Sequence, residues 1–424
     1  MNGLTELRST LTMPARWGQA VTGNHSPRTQ QRLVEMDLTF SAEYQAFRKE
    51  VAEFLAAHWQ AGKARDADFV DAFRLEATRR GYLYRSIPKR YGGSEQPADV
   101  LKAQVIAEEF LAARAPQEVA GQGTMMLVPV LLEVGEEWQR EKFIEPTIRG
   151  KIKWAQGYSE PGSGSDLASL RTKAELDGDE WVINGQKIWT TRANESDYMF
   201  LLCRTEPDAP KHQGISYLLL DFKQPGITIR PIKQISGEEE FYETFLDDAR
   251  TPKDWIVGER GKGWDVSKVN LKHERNGVGS AARARALLRS LVKLAKEVTI
   301  DGRPAIEVPD VRERLAAIDA YVLTQTVSGY YQTTLGSRGE SAGVLGLAAK
   351  LNNTEIGKRI SELAMDIAGD AMLTMPPETG KAGAERWFKQ VMGSLGLAIA
   401  GGTSNIQRNI IAERGLGLPR EAAA

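Results

Sequence analysis

Apolar residues recur at spacings of three and four in YQAFRKEVAEFLAAHW, residues 44–59, and again in VLKAQVIAEEFLAARA, residues 100–115. That is the period of helices burying one face. Between them, IPKRYGGSEQP carries glycine and proline and reads as an irregular connection. From about Lys151 the period shortens. RTKAEL, EWVI and QKIWTT are separated by Asp177-Gly178 and Asn184-Gly185, dipeptides that favour the positive φ angles of tight hairpins. The spacing predicts a β-meander with a turn at each. Further strand-like runs follow at YMFLLCR, ISYLLLDF, ITIRPI and YETFLDD. From about Gly261 the helical period returns in RARALLRSLVKLAKEV and VRERLAAIDAYVLTQTVSGYYQTTL, and several long helices of this kind imply a bundle. The pattern predicts a mainly α chain with a central β domain. Its parts are an N-terminal extension (1–37), a helical domain (38–150), a small antiparallel β-barrel or sheet (151–258) and a C-terminal four-helix bundle (259–424).

Composition narrows the class. A chain of 424 residues exceeds what one core usually organises. The formal net charge of −1 argues against nucleic acid or an anionic membrane as main partner. The single cysteine, Cys203, excludes an internal disulfide framework and fits a reducing cytoplasm. No apolar run approaches the roughly 20 residues of a membrane span. The polar N-terminal stretch, with Pro14 and Pro27, lacks the apolar core of a secretion signal and reads as a flexible or partner-docking extension. His25, His58, His212 and His273 are far apart and lack metal-ligand spacing, so no metal is expected.

Three segments carry candidate chemistry. YSEPGSGSDLASL, Tyr158 to Leu170, contains small residues at dinucleotide-like spacing, but that fingerprint needs a helix after it and here a meander follows. The loop is either an ordinary turn or a source of N–H groups and hydroxyls for a phosphate or flavin edge. Trp189, before Thr190-Thr191, is either core or a wall for a planar ring. Finally, Gly401-Gly402 separates two helical runs in LAIAGGTSNIQRNIIAER. It either ends a helix or lets something approach the backbone.

Taken together, the helical–β–helical order, EPGSGSD followed by INGQKIWTT, and the closing GGTSNIQRNIIAER resemble the acyl-CoA dehydrogenase family over roughly Leu38 to Leu418. The resemblance implies FAD between the β-domain and the bundle, an acyl-CoA substrate, and electron-transferring flavoprotein as electron acceptor, within lipid catabolism by β-oxidation. It assigns flavin contacts to Tyr158, Ser159, Gly164, Ser165, Trp189 and Thr191, with Thr403 and Asn405 near the cofactor and Ser165 also beside substrate. Hydride transfer needs such a cofactor, because side chains offer no two-electron acceptor. Removing a thioester α-proton needs a carboxylate base and donors for the developing enolate oxygen.

Many members supply that base from the position occupied here by Gly401, so the usual base is absent. A subset that includes isovaleryl- and long-chain-type enzymes places it on the first helix of the bundle. There GKGWDVSKVNLKHERNGVG supplies Glu274, with Arg275 to orient it or touch substrate. Gly401 keeps an N–H able to donate to the thioester oxygen. The chain departs from the family where FAD phosphate and adenosine are usually gripped: Val298 and Asp301 replace arginine and phenylalanine, and Asp366 and Asp370 stand in the later segment. Arg303 is a replacement or a surface loop residue. Such departures resemble bacterial members acting on bulky acyl-CoAs, some of which form heteromeric assemblies, so a homo- or hetero-oligomer (dimer or tetramer) is expected. A flavin oxidase or monooxygenase and a non-catalytic partner subunit are the alternatives.

Overall fold

The computed structural model describes residues 41–278, 281–338, 340–372 and 384–419. The expected extension, 1–37, lies outside the described residues. The chain divides into residues 1–45, of which 41–45 are described and open the first helix, and residues 46–424, which hold everything that follows.

Five helices come first: α1 (Ala42–His58), α2 (Ala67–Arg79), α3 (Val100–Ala113), α4 (Val128–Val134) and α5 (Glu137–Ile148). Asp66 and Asp99 cap α2 and α3, accepting from the N–H groups of Phe69 and Lys102, so each fills a donor the helix itself leaves open. Phe54, Phe73, Phe110, Leu127 and Phe143 form their core.

The strands are β1 (Trp154–Gly157), β2 (Lys173–Asp177), β3 (Glu180–Thr191), β4 (Tyr198–Arg204), β5 (Ile215–Asp221), β6 (Ile227–Ile232) and β7 (Phe241–Pro252). They form one sheet in the order β1-β4-β2-β3-β7-β6, with β5 on β4. Most pairs are antiparallel, but β1 runs parallel to β4, which the expected antiparallel meander did not include. Period-two alternation sorts β4 between two cores. Phe200 and Leu202 join the first helices, while Met199, Leu201 and Cys203 pack with Ile183 and Leu218 on the other face.

The two turn signals in this block separate in the structure. Asp177-Gly178 is a hairpin: Asp177 pairs with Glu180 and Gly178 takes φ 63°. Asn184-Gly185 is no turn, which corrects the sequence expectation. β3 runs straight through it, and the register on β7 slips between Ile183 and Gly185. A β-bulge uses the same positive φ as a turn. Gly185 supplies it at 153°, and a Cβ there would stand 2.5 Å from Thr172 Oγ1.

The C-terminal part comprises α6 (Gly263–Val278), α7 (Ala281–Glu297), the short hairpin β8 (Thr299–Ile300) and β9 (Arg303–Pro304), α8 (Pro309–Ser337), α9 (Gly343–Ala368), α10 (Ala384–Leu397) and α11 (Ser404–Ile410). Leu291, Val322, Ile360, Leu363 and Trp387 make a separate bundle core. α6 belongs instead to the first core through Val266, and its start is jammed against β5. The missing Cβ of Gly263 would lie 2.4 Å from the carbonyl carbon of Ser216. Among the described residues no helix is long and apolar enough to cross a membrane.

Candidate functional site

The loop after β1 is fastened at both sides. Tyr158 is buried, and its phenolic oxygen accepts a hydrogen bond from Asn270 Nδ2 on α6 at 2.9 Å. Position 274 follows Asn270 by four residues, one turn further along α6. Ser159 accepts from the N–H of Ile188 at 2.9 Å, which pins the loop to β3 just before Trp189. Asn270 thus ties to the loop a helix that is far away in sequence, and among the described residues its own buried Oδ1 has no partner.

Under the loop lies an ion pair. Glu160 accepts from the N–H groups of Arg171 and Thr172 at 2.6 and 2.8 Å and from Lys187 Nζ at 2.9 Å. The wholly buried Lys187 also donates to the carbonyls of Tyr158 and Leu202. Burial alone would push the Glu160 carboxyl up; the Lys187 charge and the donated hydrogen bonds outweigh it and hold the group below its ordinary range. The pair fixes where loop and strand meet. Further along the loop Gly164 and Ser165 are exposed, and a Cβ on Gly164 would meet nothing within 4 Å.

Trp189 is not core. Its side chain is 54% exposed and its backbone sits at φ 61°. The register between β3 and β7 slips a second time between Lys187 and Thr190, a bulge that re-aims the indole. Phe241 meets it edge-on at 6.0 Å, and the half-buried Thr191 pairs with Phe241 in the sheet. A tryptophan held in left-handed backbone with its face bare is a strained arrangement characteristic of binding sites. Together with bare Gly164 and the unpartnered Asn270 Oδ1, it fits the planar, polar-edged flavin that the resemblance implies.

The remaining candidates gather at the turn between α10 and α11. Gly401 and Gly402 take φ 63° and 90°, and Thr403 caps α11 through the N–H of Ile406. Asn405 accepts from Arg408 at 3.1 Å. Gln407 Nε2 donates to the Gly401 carbonyl at 3.1 Å, and the buried Lys350 donates to the carbonyls of Leu397 and Gly402, each at 2.9 Å. Among the described residues the N–H groups of Gly401 and Gly402 have no acceptor. No hydrogen bond joins this group to Tyr158, Ser159 or Trp189 among the described residues. Glu274 and Arg275 lie on α6; their side chains are outside the described part.

Asn270, Lys350, Gln407 and the Glu160–Lys187 pair were not singled out in the sequence. Asn270 had a signal, being one helical turn before Glu274. Glu160 and Lys187 stood inside the quoted motifs. Lys350 had none. At the departures, Val298 packs against the bundle core, Asp366 pairs with Arg314 at 2.6 Å, and Asp370 and Arg303 are exposed.

Three family models match the chain: acyl-CoA dehydrogenase N-terminal domain over residues 41–151, middle domain over 155–249 and C-terminal domain over 261–416. The chain is 39% identical over 378 residues to acyl-CoA dehydrogenase IpdE1 of Mycobacterium tuberculosis, covering 87% of this chain and 94% of that one. Among solved structures it resembles a chain of the ChsE4-ChsE5 complex from Mycobacterium tuberculosis at 29% identity and TM-score 0.73, covering 91% and 100% of the two chains. A chain of the Tcur3481-Tcur3483 steroid ACAD is similar at 30% identity and the same TM-score, again covering 91% and 100%.

Proposed function

This chain belongs to the acyl-CoA dehydrogenase family and is an oxidoreductase. On that premise we propose that it desaturates an acyl-CoA thioester between Cα and Cβ, with Glu274 taking the α-proton. When bound, FAD accepts the β-hydride. Trp189 and Thr191 would lie against the ring when it is bound, while Ser159, Gly164 and Ser165 would offer their N–H groups and hydroxyls to its edge, with Ser165 also beside the substrate. The bonded Tyr158 and Asn270 keep the loop registered on α6. The free N–H groups at Gly401-Gly402 receive the thioester oxygen as negative charge develops on it. Thr403 and Asn405 would help hold the cofactor, and Arg275 orients the Glu274 carboxylate. Electron-transferring flavoprotein takes the electrons onward, in the cytoplasm.

The observation that carries this reading is the Tyr158–Asn270 hydrogen bond. It joins the candidate flavin loop to α6 one turn before Glu274, the base this reading assigns when Gly401 stands at the usual position. Anaerobic titration of the purified flavoprotein with acyl-CoAs tests it. Glu274→Gln should slow flavin bleaching on the order of a hundredfold to ten-thousandfold while the flavin stays bound. Bleaching at the normal rate in that variant overturns the assignment.

A heteromeric assembly is the accompanying proposal. Leu395, Ile399, Leu416 and Leu418 are exposed apolar residues at the end of the bundle, a composition that asks for a protein partner. Val298 and Asp366 are committed to packing and to Arg314, so neither grips a cofactor phosphate. The two solved structures named above are complexes of two different chains. The FAD-to-chain ratio of this protein purified alone decides: a fully loaded homotetramer sinks the proposal. By the same likeness to a steroid-acting enzyme, the acyl group is bulky or branched.

A further inference from the structure

Two buried side chains of different charge hold the turn between α10 and α11. Gln407 Nε2 donates to the carbonyl of Gly401 at 3.1 Å, so a neutral amide suffices there. Its close seat depends on glycine: a Cβ on Gly402, at φ 90°, would stand 2.7 Å from Nε2. Lys350 Nζ donates to the carbonyls of Leu397 and Gly402, each at 2.9 Å, and has no carboxylate partner among the described residues.

Burying an ammonium costs far more than burying an amide, and two carbonyls offset that cost less well than a carboxylate. Holding a turn does not call for the charge, since Gln407 holds the neighbouring carbonyl without one. The charge becomes useful when negative charge arises beside it. The N–H groups of Gly401 and Gly402 have no acceptor among the described residues. Leu397 lines a cavity of about 320 Å³ between the loop before α4 and helices α7, α9 and α10. One stretch, 397–402, thus carries a wall residue of that space, two unused donors and both bonds to a buried cation.

We propose that Lys350 is a positioning residue of the dehydrogenation, its ammonium fixing the turn and supplying a buried positive charge that favours the enolate. This deepens the dehydrogenase reading and rests on it. Breaking the α C–H bond gives the proton to Glu274 and leaves the electron pair on the thioester, whose oxygen turns negative at the Gly401 and Gly402 N–H groups. Away from water a fixed charge acts more strongly and further than in solvent. The neutral thioester gains little from it, so the charge lowers the barrier without tightening the substrate.

The test uses cyclohexylthioacetyl-CoA and hexylthioacetyl-CoA. Each can lose an α-proton, but sulfur at the β position leaves no hydride to transfer. Enolate formation is then read alone, as exchange of the α-protons for deuterium followed by mass spectrometry, with calorimetric binding measured on the same flavoprotein. Lys350→Gln keeps side-chain N–H groups for the carbonyls and loses the charge. It should slow exchange on the order of tenfold to a hundredfold and leave the dissociation constant within about threefold. Lys350→Arg, which keeps the charge, should recover part of the loss. Gln407→Glu brings a carboxylate to the same turn and cancels the charge with Lys350 in place. It should slow exchange comparably, and it decides the matter if Lys350→Gln does not fold. Exchange within about twofold of wild type in either variant, or binding and exchange falling by the same factor, overturns the proposal. So does an arginine variant no faster than the glutamine one. If wild type exchanges neither probe, the dehydrogenase reading itself falls and takes this proposal with it.

Discussion

The ammonium of Lys350, buried in α9, donates to the carbonyl of Gly402 at 2.9 Å and has no carboxylate partner among the described residues. Its second bond, to Leu397, spans the segment between α10 and the glycine turn. A charged group spent on two carbonyls holds the turn that offers the N–H groups of Gly401 and Gly402.

Burial pushes the Lys350 pKa below its ordinary value of 10.5. In the window between the folded value and 10.5 the unfolded chain therefore binds more protons, and stability rises with pH there. Lys350→Met should remove that rise on the alkaline side below pH 10.5 and cost about 2 kcal/mol at neutral pH by losing two charge-assisted bonds. Urea midpoints against pH read both. An unchanged pH slope would mean that Lys350 titrates no differently in the folded protein.

The Glu160–Lys187 pair gives the opposite sign. With its folded pKa held below the ordinary 4.5, Glu160 contributes stability that is present above about 4.5 and is lost as pH falls through the folded value. Lys187→Met leaves a buried carboxylate facing two backbone N–H groups and no cation. It should destabilise by about 3–5 kcal/mol and move acid unfolding to higher pH. Thermal melts from pH 3 to 7 distinguish this from simple cavity formation, which would lower the midpoint equally across the range.

Gly263→Ala places a methyl 2.4–2.5 Å from the backbone of Ser216 and Tyr217, where neither neighbour is a side chain able to swing away. α6 must then lift from β5. The cost should be about 1–3 kcal/mol, and flavin bleaching should slow more than acyl-CoA binding weakens, since α6 carries position 274. A variant with wild-type bleaching would show that the spacing between α6 and the sheet is not critical.

Strands β4 and β6 match the runs YMFLLCR and ITIRPI to the residue, and β5 ends one residue before the end of ISYLLLDF; β4 and β5 are buried on both faces and so read as continuous apolar runs. The loop motif and the turn at Gly401-Gly402 were equally visible as glycine-rich punctuation. Local signals failed where one chemistry serves two structures. Asn184-Gly185 satisfies a hairpin turn and a bulge alike, and only the pairing of β3 with β7 across both sides decides. Asp301-Gly302 went the other way: φ 49° and 78° make it a tight hairpin between β8 and β9, although the segment was read only for its lost cofactor arginine. Lys350 was invisible, because its role depends on carbonyls some fifty residues away.

Trp189 gives the sharpest separation of stability from function. Left-handed backbone at a bulky residue costs about 1–3 kcal/mol, and the edge-on contact with Phe241 returns about 0.5–1.5 kcal/mol. Asparagine tolerates this backbone. Trp189→Asn should therefore melt at or slightly above the wild-type temperature while retaining less FAD, read as the ratio of flavin to protein absorbance after gel filtration. Trp189→Val should lose both, since a β-branched residue fits this backbone worst. If Trp189→Asn keeps its flavin with an unshifted absorbance band, the exposed indole is not a wall of the flavin site.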